Sequence, residues 1–394
     1  MRAFEGIRVL DLTHVLAGPF STYQLAVLGA EVIKIESPVH PDMVRAVGAD
    51  PDRNVRGMGL DFQTQSANKR SLTLNLADAD GAAIFRKLVA TAAVIVDNYQ
   101  AGSLDRLGLG YEALREINPA LIYCSVTGYG QTGPMAARPS YDGTIKAASG
   151  FLATQQRSLR AAEMVIGPPV LDYAAGAMAA FAITAALLRR VRTGEGQRLD
   201  VSMLDTALML MSVDITNLLG SGEPADPAKW DRQGHPGYRL YDTADGVLMA
   251  GAWTGEQTAR FWQVLGFPDR AEDARGRAIV DLESSPIELI AEVQQVMLTR
   301  SAAEWEQLLN AAQVPASRVR TLGEAVADPQ VAHRGTLASH SNGLKHPVAA
   351  FMADHDGPAV ETAPPEMGAD TDAILAAIGI DAEQRADLRA RGVI

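Results

Sequence analysis

Gly167-Pro168-Pro169-Val170-Leu171-Asp172-Tyr173 leads into an apolar stretch, residues 173–188, that no proline interrupts. Alanine dominates it, with Met178, Phe181, Ile183 and Leu187 between, and Arg189, Arg190, Arg192, Thr193 and Gly194 follow. A proline-rich entry, an acid in the opening turn, cations in the last turn and glycine beyond it specify one long helix. A helix apolar nearly all round has to be buried, so the rest of the chain must wrap it. Ala174, Ala175, Gly176, Ala177, Ala179 and Ala180 leave room for another backbone or a ligand to come close. Asp172 then sits at the tip of a buried helix, where the macrodipole and free N–H groups favour an anion, and its carboxylate is expected to stay ionised. An aspartate at a helix start is ordinarily a cap. At the tip of a buried helix it becomes a candidate site residue.

The segments before this helix alternate strand and helix. Ile7-Arg8-Val9-Leu10-Asp11-Leu12 reads as a strand, residues 20–28 as a helix that Gly29 ends, and Glu31-Val32-Ile33-Lys34-Ile35 as a second strand closing at Glu36. Such a unit makes a parallel pair with a right-handed crossover. Residues 71–76 form a third strand, 80–90 a helix, 93–97 a buried parallel strand, 111–116 a short helix, and 121–126 the strand that carries Cys124. Residues 198–203 add a strand leading into a helix over 204–218. The fold class is α/β, with a parallel sheet. Gly220-Ser221-Gly222-Glu223-Pro224 opens a linker, 220–236, that separates a large-domain part, 1–219, from a small α+β domain, 237–320. In the small domain Asp245-Gly246 turns a hairpin between 238–243 and 247–252, and helices follow at 256–265, 286–298 and 302–312. Residues 321–394 return, strand-and-loop in character to about 364, then helical, as the C-terminal part of the large domain.

Ligands of open parallel sheets collect at the C-terminal ends of the strands. Here those ends are the segments 14–19, 36–42, 98–102 and 127–134. Lys34, Lys69, Arg70, Asn98 and Arg106 stand near them and suit a phosphate-bearing ligand. A net charge of −12 argues against nucleic acid, which needs a basic field. Cys124 is the one cysteine, so no internal disulfide forms; a buried strand residue in a reducing, cytoplasmic setting is expected. Residues 173–188 are shorter than the roughly 18 apolar residues of a membrane span, so no membrane partner is expected. The turn after the first strand, 14–20, lacks G-x-G-x-x-G, and Pro19 removes an N–H that a dinucleotide site needs. The seven histidines show no metal-ligand spacing, and no G-x-S-x-G elbow occurs.

Val9-Leu10-Asp11-Leu12-Thr13-His14-Val15-Leu16-Ala17-Gly18-Pro19, Leu28 to Glu36, Asn68-Lys69-Arg70-Ser71-Leu72, Val96-Asp97-Asn98-Tyr99, Gly128-Tyr129-Gly130, Tyr141-Asp142 and Arg192 to Ser202 resemble, in one order, the family III coenzyme A transferases. The resemblance runs from residue 5 to about 215 and resumes at 368–375. It implies that Asp172 attacks the thioester of an acyl-CoA, forming an aspartyl anhydride and then an aspartyl-CoA thioester, and that a small carboxylic acid accepts the CoA. By position it assigns CoA contacts to Val15, Lys69, Asn98 and Arg106. It implies coenzyme A or acyl-CoA as substrate with no tightly bound cofactor. It also implies a Rossmann-like large domain made of both chain ends, and two monomers interlinked as a homodimer. The family covers its aspartate with a glycine-rich small-domain loop, which matches 250–256 here. Leu16 stands where formyl-CoA transferase has Gln, and Gln100 where many relatives have Arg. The α-methylacyl-CoA racemase branch is similar too, but has His before the Asp of the Tyr141-Asp142 pair; in that reading Glu256 would act with Asp172 in α-proton exchange.

Overall fold

Strands Arg8–Asp11 (β1), Glu31–Glu36 (β2), Lys69–Thr73 (β3), Val94–Asp97 (β4), Ile122–Thr127 (β5) and Gln197–Ser202 (β6) form one sheet, in the order β3-β2-β1-β4-β5-β6. Every pair in it is parallel. The structure is a computed structural model that describes residues 2–155, 164–222, 235–278, 287–340 and 343–394. Side chains alternate between the two faces, as the pleat requires. Val9, Val32, Val94, Val96, Ile122 and Cys124 enter one core with helices Ala17–Ala26 (α1) and Val170–Thr193, the long helix named α5 below. Leu10, Ile33, Leu72, Ile95 and Tyr123 enter the other, under helices Ala79–Val89 (α2) and Tyr111–Ile117 (α3). Covering on both faces explains the nearly unbroken apolar strands: all four residues of β4 are buried.

Helix Asp142–Ala148 (α4) precedes α5 (Val170–Thr193) in the chain. At 24 residues α5 is longer than its apolar run and is long and apolar enough to cross a bilayer, which corrects the length read from residues 173–188 and nothing more, since core helices reach the same length and composition. One face of α5 is core: Leu171, Ala175, Ala179, Ile183 and Ala186 are buried. At Gly176 it meets α1, and a Cβ there would lie 2.5 Å from the Ala17 carbonyl oxygen, so the close backbone approach needs glycine. Cys124 is a buried free cysteine whose thiol is pushed up by burial.

Three elements differ from expectation. The third strand starts at Lys69 and ends at Thr73 rather than spanning 71–76. Residues 204–218 form two helices, Met203–Leu210 (α6) and Ser212–Ser221 (α7), bent by 71°. At the break Met211 is buried, and the Ser212 hydroxyl donates to the Met209 carbonyl, a back-bond that bends helices. The return segment holds two short helices, Leu322–Val326 and Pro329–His333, the first opened by a Thr321/Glu324 capping box.

Two compact units result. One comprises Met1–Leu152, Val165–Ile215 and Ala332–Ile394, and the other Ala153–Met164 and Thr216–Val331. The C-terminal helices Thr371–Ala377 and Ala382–Ala390 belong to the first, where Ile374, Leu375 and Leu388 complete the second core. The second unit holds an antiparallel sheet of Tyr238–Asp242, Val247–Gly251 and Ala316–Arg318, packed on helices Gly255–Val264, Ile287–Met297 and Ala302–Ala311 around Tyr241, Phe261, Trp262 and Trp305. Of the 220–236 linker, residues 223–234 lie outside the described residues, as does Pro286 of the helix expected from 286.

Candidate active site

The strand order reverses between β1 and β4, and an open parallel sheet presents its ligand crevice at such a point. A cavity of about 760 Å³ lies there, entirely within the larger unit. His14, Val15, Leu16 and Ala17 after β1, Asn98 and Tyr99 after β4, Thr127 at the end of β5 and Gly128 beyond it, and Arg138, Tyr141 and Asp172 all line it.

The loop after β1 is clamped. Asn98 Oδ1 accepts from the His14 N–H at 2.8 Å, and its Nδ2 donates to the His14 carbonyl at 2.8 Å. Asp42 Oδ1 accepts from the Val15 N–H at 3.0 Å. Val15 holds φ at 67°, a left-handed conformation that a β-branched residue adopts only under constraint and at a cost of about 1–3 kcal/mol. Beneath the loop lie buried ion pairs: Lys34–Asp42 at 3.0 Å, Lys69–Asp11 at 2.9 Å and Arg45–Glu36 at 2.6 Å. Lys34 also donates to the Thr13 carbonyl, and Lys69 to Pro19 O and Thr22 Oγ1. Against the cost of burial, Lys69 and Lys34 hold the Asp11 carboxyl far below the usual range. His14 is held below its ordinary value by burial and by Lys34, so it is neutral at pH 7. Its ring stands edge-on to Tyr99 at 4.9 Å, and its buried Nδ1 has no partner among the described residues.

Asp172 is the third residue of α5, not its cap. The cap position is Pro169, which offers no side-chain acceptor. Four opening N–H groups are nevertheless satisfied: Val170 by Pro168 O, Leu171 and Asp172 by Asp142 Oδ2, and Tyr173 by Pro169 O. None is left for an anion, which corrects the expectation that the helix tip itself would stabilise Asp172. Burial first, and the Asp142 charge second, push the Asp172 carboxyl up to about 6, with Lys146 opposing. The group is therefore an anion above about pH 6 rather than a fully depressed carboxylate. Its oxygens carry no hydrogen bond or ion pair among the described residues.

Three of the residues singled out in the sequence, Val15, Asn98 and Asp172, share this cavity. Lys69 does not: its side chain is fully buried and its ammonium is spent on Asp11, so a direct phosphate contact through Lys69 is corrected. Lys34 is likewise turned inward, and Arg70 pairs with Glu31. Arg106 is exposed on the single turn Ser103–Arg106 and donates to Ser103 Oγ at 3.0 Å; Ser103 lines the cavity and Arg106 does not. Glu256 is exposed in the first turn of Gly255–Val264, in the smaller unit. The segment 250–256 is no free loop: Ala250 and Gly251 end a strand, and Thr254 with Gln257 caps that helix. Asp142, Lys146 and Arg138 escaped the sequence reading. Only the Tyr141-Asp142 pair was visible there, as a motif without a role.

These features define an α/β protein of the open-sheet type, with a half-buried carboxylate in the wall of its strand-end crevice. The chain belongs to CoA-transferase family III, whose family model matches residues 4–371. It is 36% identical to the succinate–glutarate CoA-transferase of Agrobacterium fabrum over 342 residues, covering 84% of this chain and 83% of that one. It is 32% identical to the human succinyl-CoA:glutarate CoA-transferase, covering 95% and 86%, and 34% identical to the acetyl-CoA:oxalate CoA-transferase of Acetobacter aceti, covering 87% of each. A solved CaiB/BaiF family protein from Brucella suis superimposes with a TM-score of 0.81 at 28% identity over 96% of this chain and 99% of that one. The substrates of such an enzyme are CoA thioesters and carboxylates.

Proposed function

We propose that Asp172 is the nucleophile of CoA transfer between dicarboxylic acids. One observation carries the reading: a carboxylate unpaired among the described residues, and ionised above about pH 6, lines a strand-end cavity large enough for a thioester arm. Asp172 attacks the acyl-CoA carbonyl, the C–S bond breaks, and CoA thiolate leaves an aspartyl–acyl anhydride. The thiolate attacks the aspartyl carbonyl and expels the donor acid as its carboxylate. The acceptor carboxylate then attacks the aspartyl-CoA thioester, giving a second anhydride and free thiolate. That thiolate takes the acceptor's acyl group and releases Asp172 unchanged. No proton is gained or lost over the cycle, and each hard displacement is split in two.

Each step passes through an oxyanion, which needs donors. Helix α1 has no side-chain cap, and the N–H groups of Ala17 and Gly18 have no acceptor among the described residues. Ala17, which lines the cavity, supplies a donor that the α5 tip lacks. Val15 and Asn98 shape the pantetheine side of the cavity, and Arg106 stands near its rim for the phosphates. The three relatives named above carry dicarboxylates in their names, and Arg138 is the one Arg or Lys lining this cavity, its guanidinium unpaired among the described residues. It receives the distal carboxylate of the acyl group. We also infer that two chains assemble as an interlocked homodimer. On α5, Phe181, Leu188 and Val191 are 68%, 54% and 85% exposed on the single chain, an apolar stripe without cover among the described residues.

The test is a panel of acetyl-, succinyl- and glutaryl-CoA against mono- and dicarboxylic acceptors, run in deuterated water. We expect dicarboxylic acids to be favoured by about tenfold or more in kcat/KM, roughly one charged contact's worth. Arg138→Met should erase the preference, and Asp172→Asn should abolish transfer. Equal use of monocarboxylic acids would overturn the substrate class. Deuterium at the α-carbon would instead favour the exchange chemistry of the racemase branch.

A further inference from the structure

Helix α5 begins without a cap of its own, and a pair of residues on α4 supplies what is missing. Asp142 Oδ2 accepts from the N–H of Leu171 at 2.8 Å and of Asp172 at 3.3 Å. Asp142 Oδ1 pairs with Lys146 Nζ at 2.5 Å, one turn along α4. Lys146 Nζ donates further to the carbonyl of Ile166 at 3.1 Å and to that of Pro168. The two side chains are 10% and 1% exposed. Together they grip both polarities of the entry peptide: its N–H groups from one end of the ion pair and its carbonyls from the other. Thr144 accepts from the Tyr141 N–H at 2.9 Å and so fixes the start of α4 itself.

We infer that the Asp142–Lys146 pair is the positioning device of the nucleophile: it caps α5 from a neighbouring helix and sets where the Asp172 carboxyl stands in the cavity, beside the Asp142 charge. The inference rests on Asp172 as nucleophile only for its catalytic consequence. Asp142 is a like charge next to Asp172 and favours the protonated form; Lys146 opposes it. The elements packed against α5 are α1, α4, α6, β5 and β6. On these elements the other charged or titratable side chains are Tyr23 on α1, Asp205 on α6, Cys124 on β5, and Tyr123, Arg198 and Asp200 on the sheet face away from α5; Arg138, Tyr141, Tyr99, His40 and neutral His14 line the cavity that Asp172 shares. The shift of Asp172 is traced to burial, Asp142 and Lys146 alone. Neither Asp142 nor Lys146 lines the cavity, so both act through Asp172 and not on substrate.

The two partners of one ion pair therefore have opposite effects on a third residue, which a merely structural role would not produce. Asp142→Asn keeps an acceptor oxygen for the two N–H groups and removes only the charge. Lys146→Gln removes the opposing cation. The Asp172 proton affinity is read in the free enzyme from carboxyl carbon-13 resonances, assigned with Asp172→Asn, and the acid limb of kcat/KM is measured beside it. We expect Asp142→Asn to lower the Asp172 pKa by about half a unit or more, Lys146→Gln to raise it by a similar amount, and the double variant to return towards wild type. Lys146→Arg, which keeps the charge, should restore the wild-type value and shows whether a loss in Lys146→Gln is only misfolding. Shifts of the same sign in both variants, or none, overturn the inference. If the resonances move as expected and the acid limb does not follow, the positioning stands and Asp172 as nucleophile fails.

Discussion

At the scale of single residues, the chemistry is a contest over one proton. Burial and Asp142 raise the Asp172 pKa to about 6, whereas an unperturbed aspartate titrates near 3.9. In the mechanism we propose, attack requires the carboxylate. The acid limb of kcat/KM should therefore lie near pH 6, with a tenfold loss per unit below it; a limb near pH 4 would contradict the shift. The sign for stability is the reverse. The folded pKa exceeds the unfolded one, so stability is greatest below about pH 4 and falls as pH rises to about 6. Beyond that the loss is constant at up to about 3 kcal/mol, two units at 1.36 each. Asp172→Asn should accordingly melt later than wild type at pH 7 to 8 while losing activity, and an unchanged or lower Tm would count against the buried charge. As a candidate in the cavity wall, Asp172 was legible because the pattern around it is local: prolines, an acid, then an apolar run. The direction of its shift was not, since Asp142 lies 30 positions away and reaches it only through the fold. The same limit explains Lys34 and Lys69. A cation at a strand end reads as a phosphate ligand until its partner is known, and Asp11 and Asp42 claim both inside the core. Three carboxylates, Asp11, Glu36 and Asp42, at those same strand ends were the available clue.

At the scale of elements, α5 has two jobs. Its buried face packs α1 so closely that Gly176 is required, and its other face presents Phe181, Leu188 and Val191 at spacings of seven and three, one stripe of a helix. On a single chain that stripe is unfavourable exposure, and it continues in kind through Met209, Leu210 and Val213 on α6 and α7. A second copy of the chain is the cover we propose. Phe181→Asp with Val191→Asp should convert a two-chain particle to single chains in light scattering; a wild-type enzyme that is itself one chain would refute the dimer. The strands and most helices were legible from periodicity, because buried parallel strands are apolar runs and turn residues separate them. What failed was punctuation. The bend at Met211 has no proline or glycine to announce it, and the return segment's Thr321/Glu324 box is only four residues long.

At the scale of the whole molecule, sheet order decides where chemistry can occur. The reversal between β1 and β4 opens the crevice, the clamped loop at Val15 walls one side, and the tip of α5 brings Asp172 to the other. The larger unit holds this entire cavity, and the family match spans nearly the whole chain. The central claim is that the acyl group and then CoA are carried on Asp172 itself. Its most direct test is to quench the enzyme with hydroxylamine during turnover of an acyl-CoA and a carboxylic acid, and to map the modified peptide by mass spectrometry. The account predicts a hydroxamate on Asp172, dependent on substrate and absent without it. A working enzyme whose Asp172 peptide stays unmodified while transfer proceeds at its full rate would contradict it.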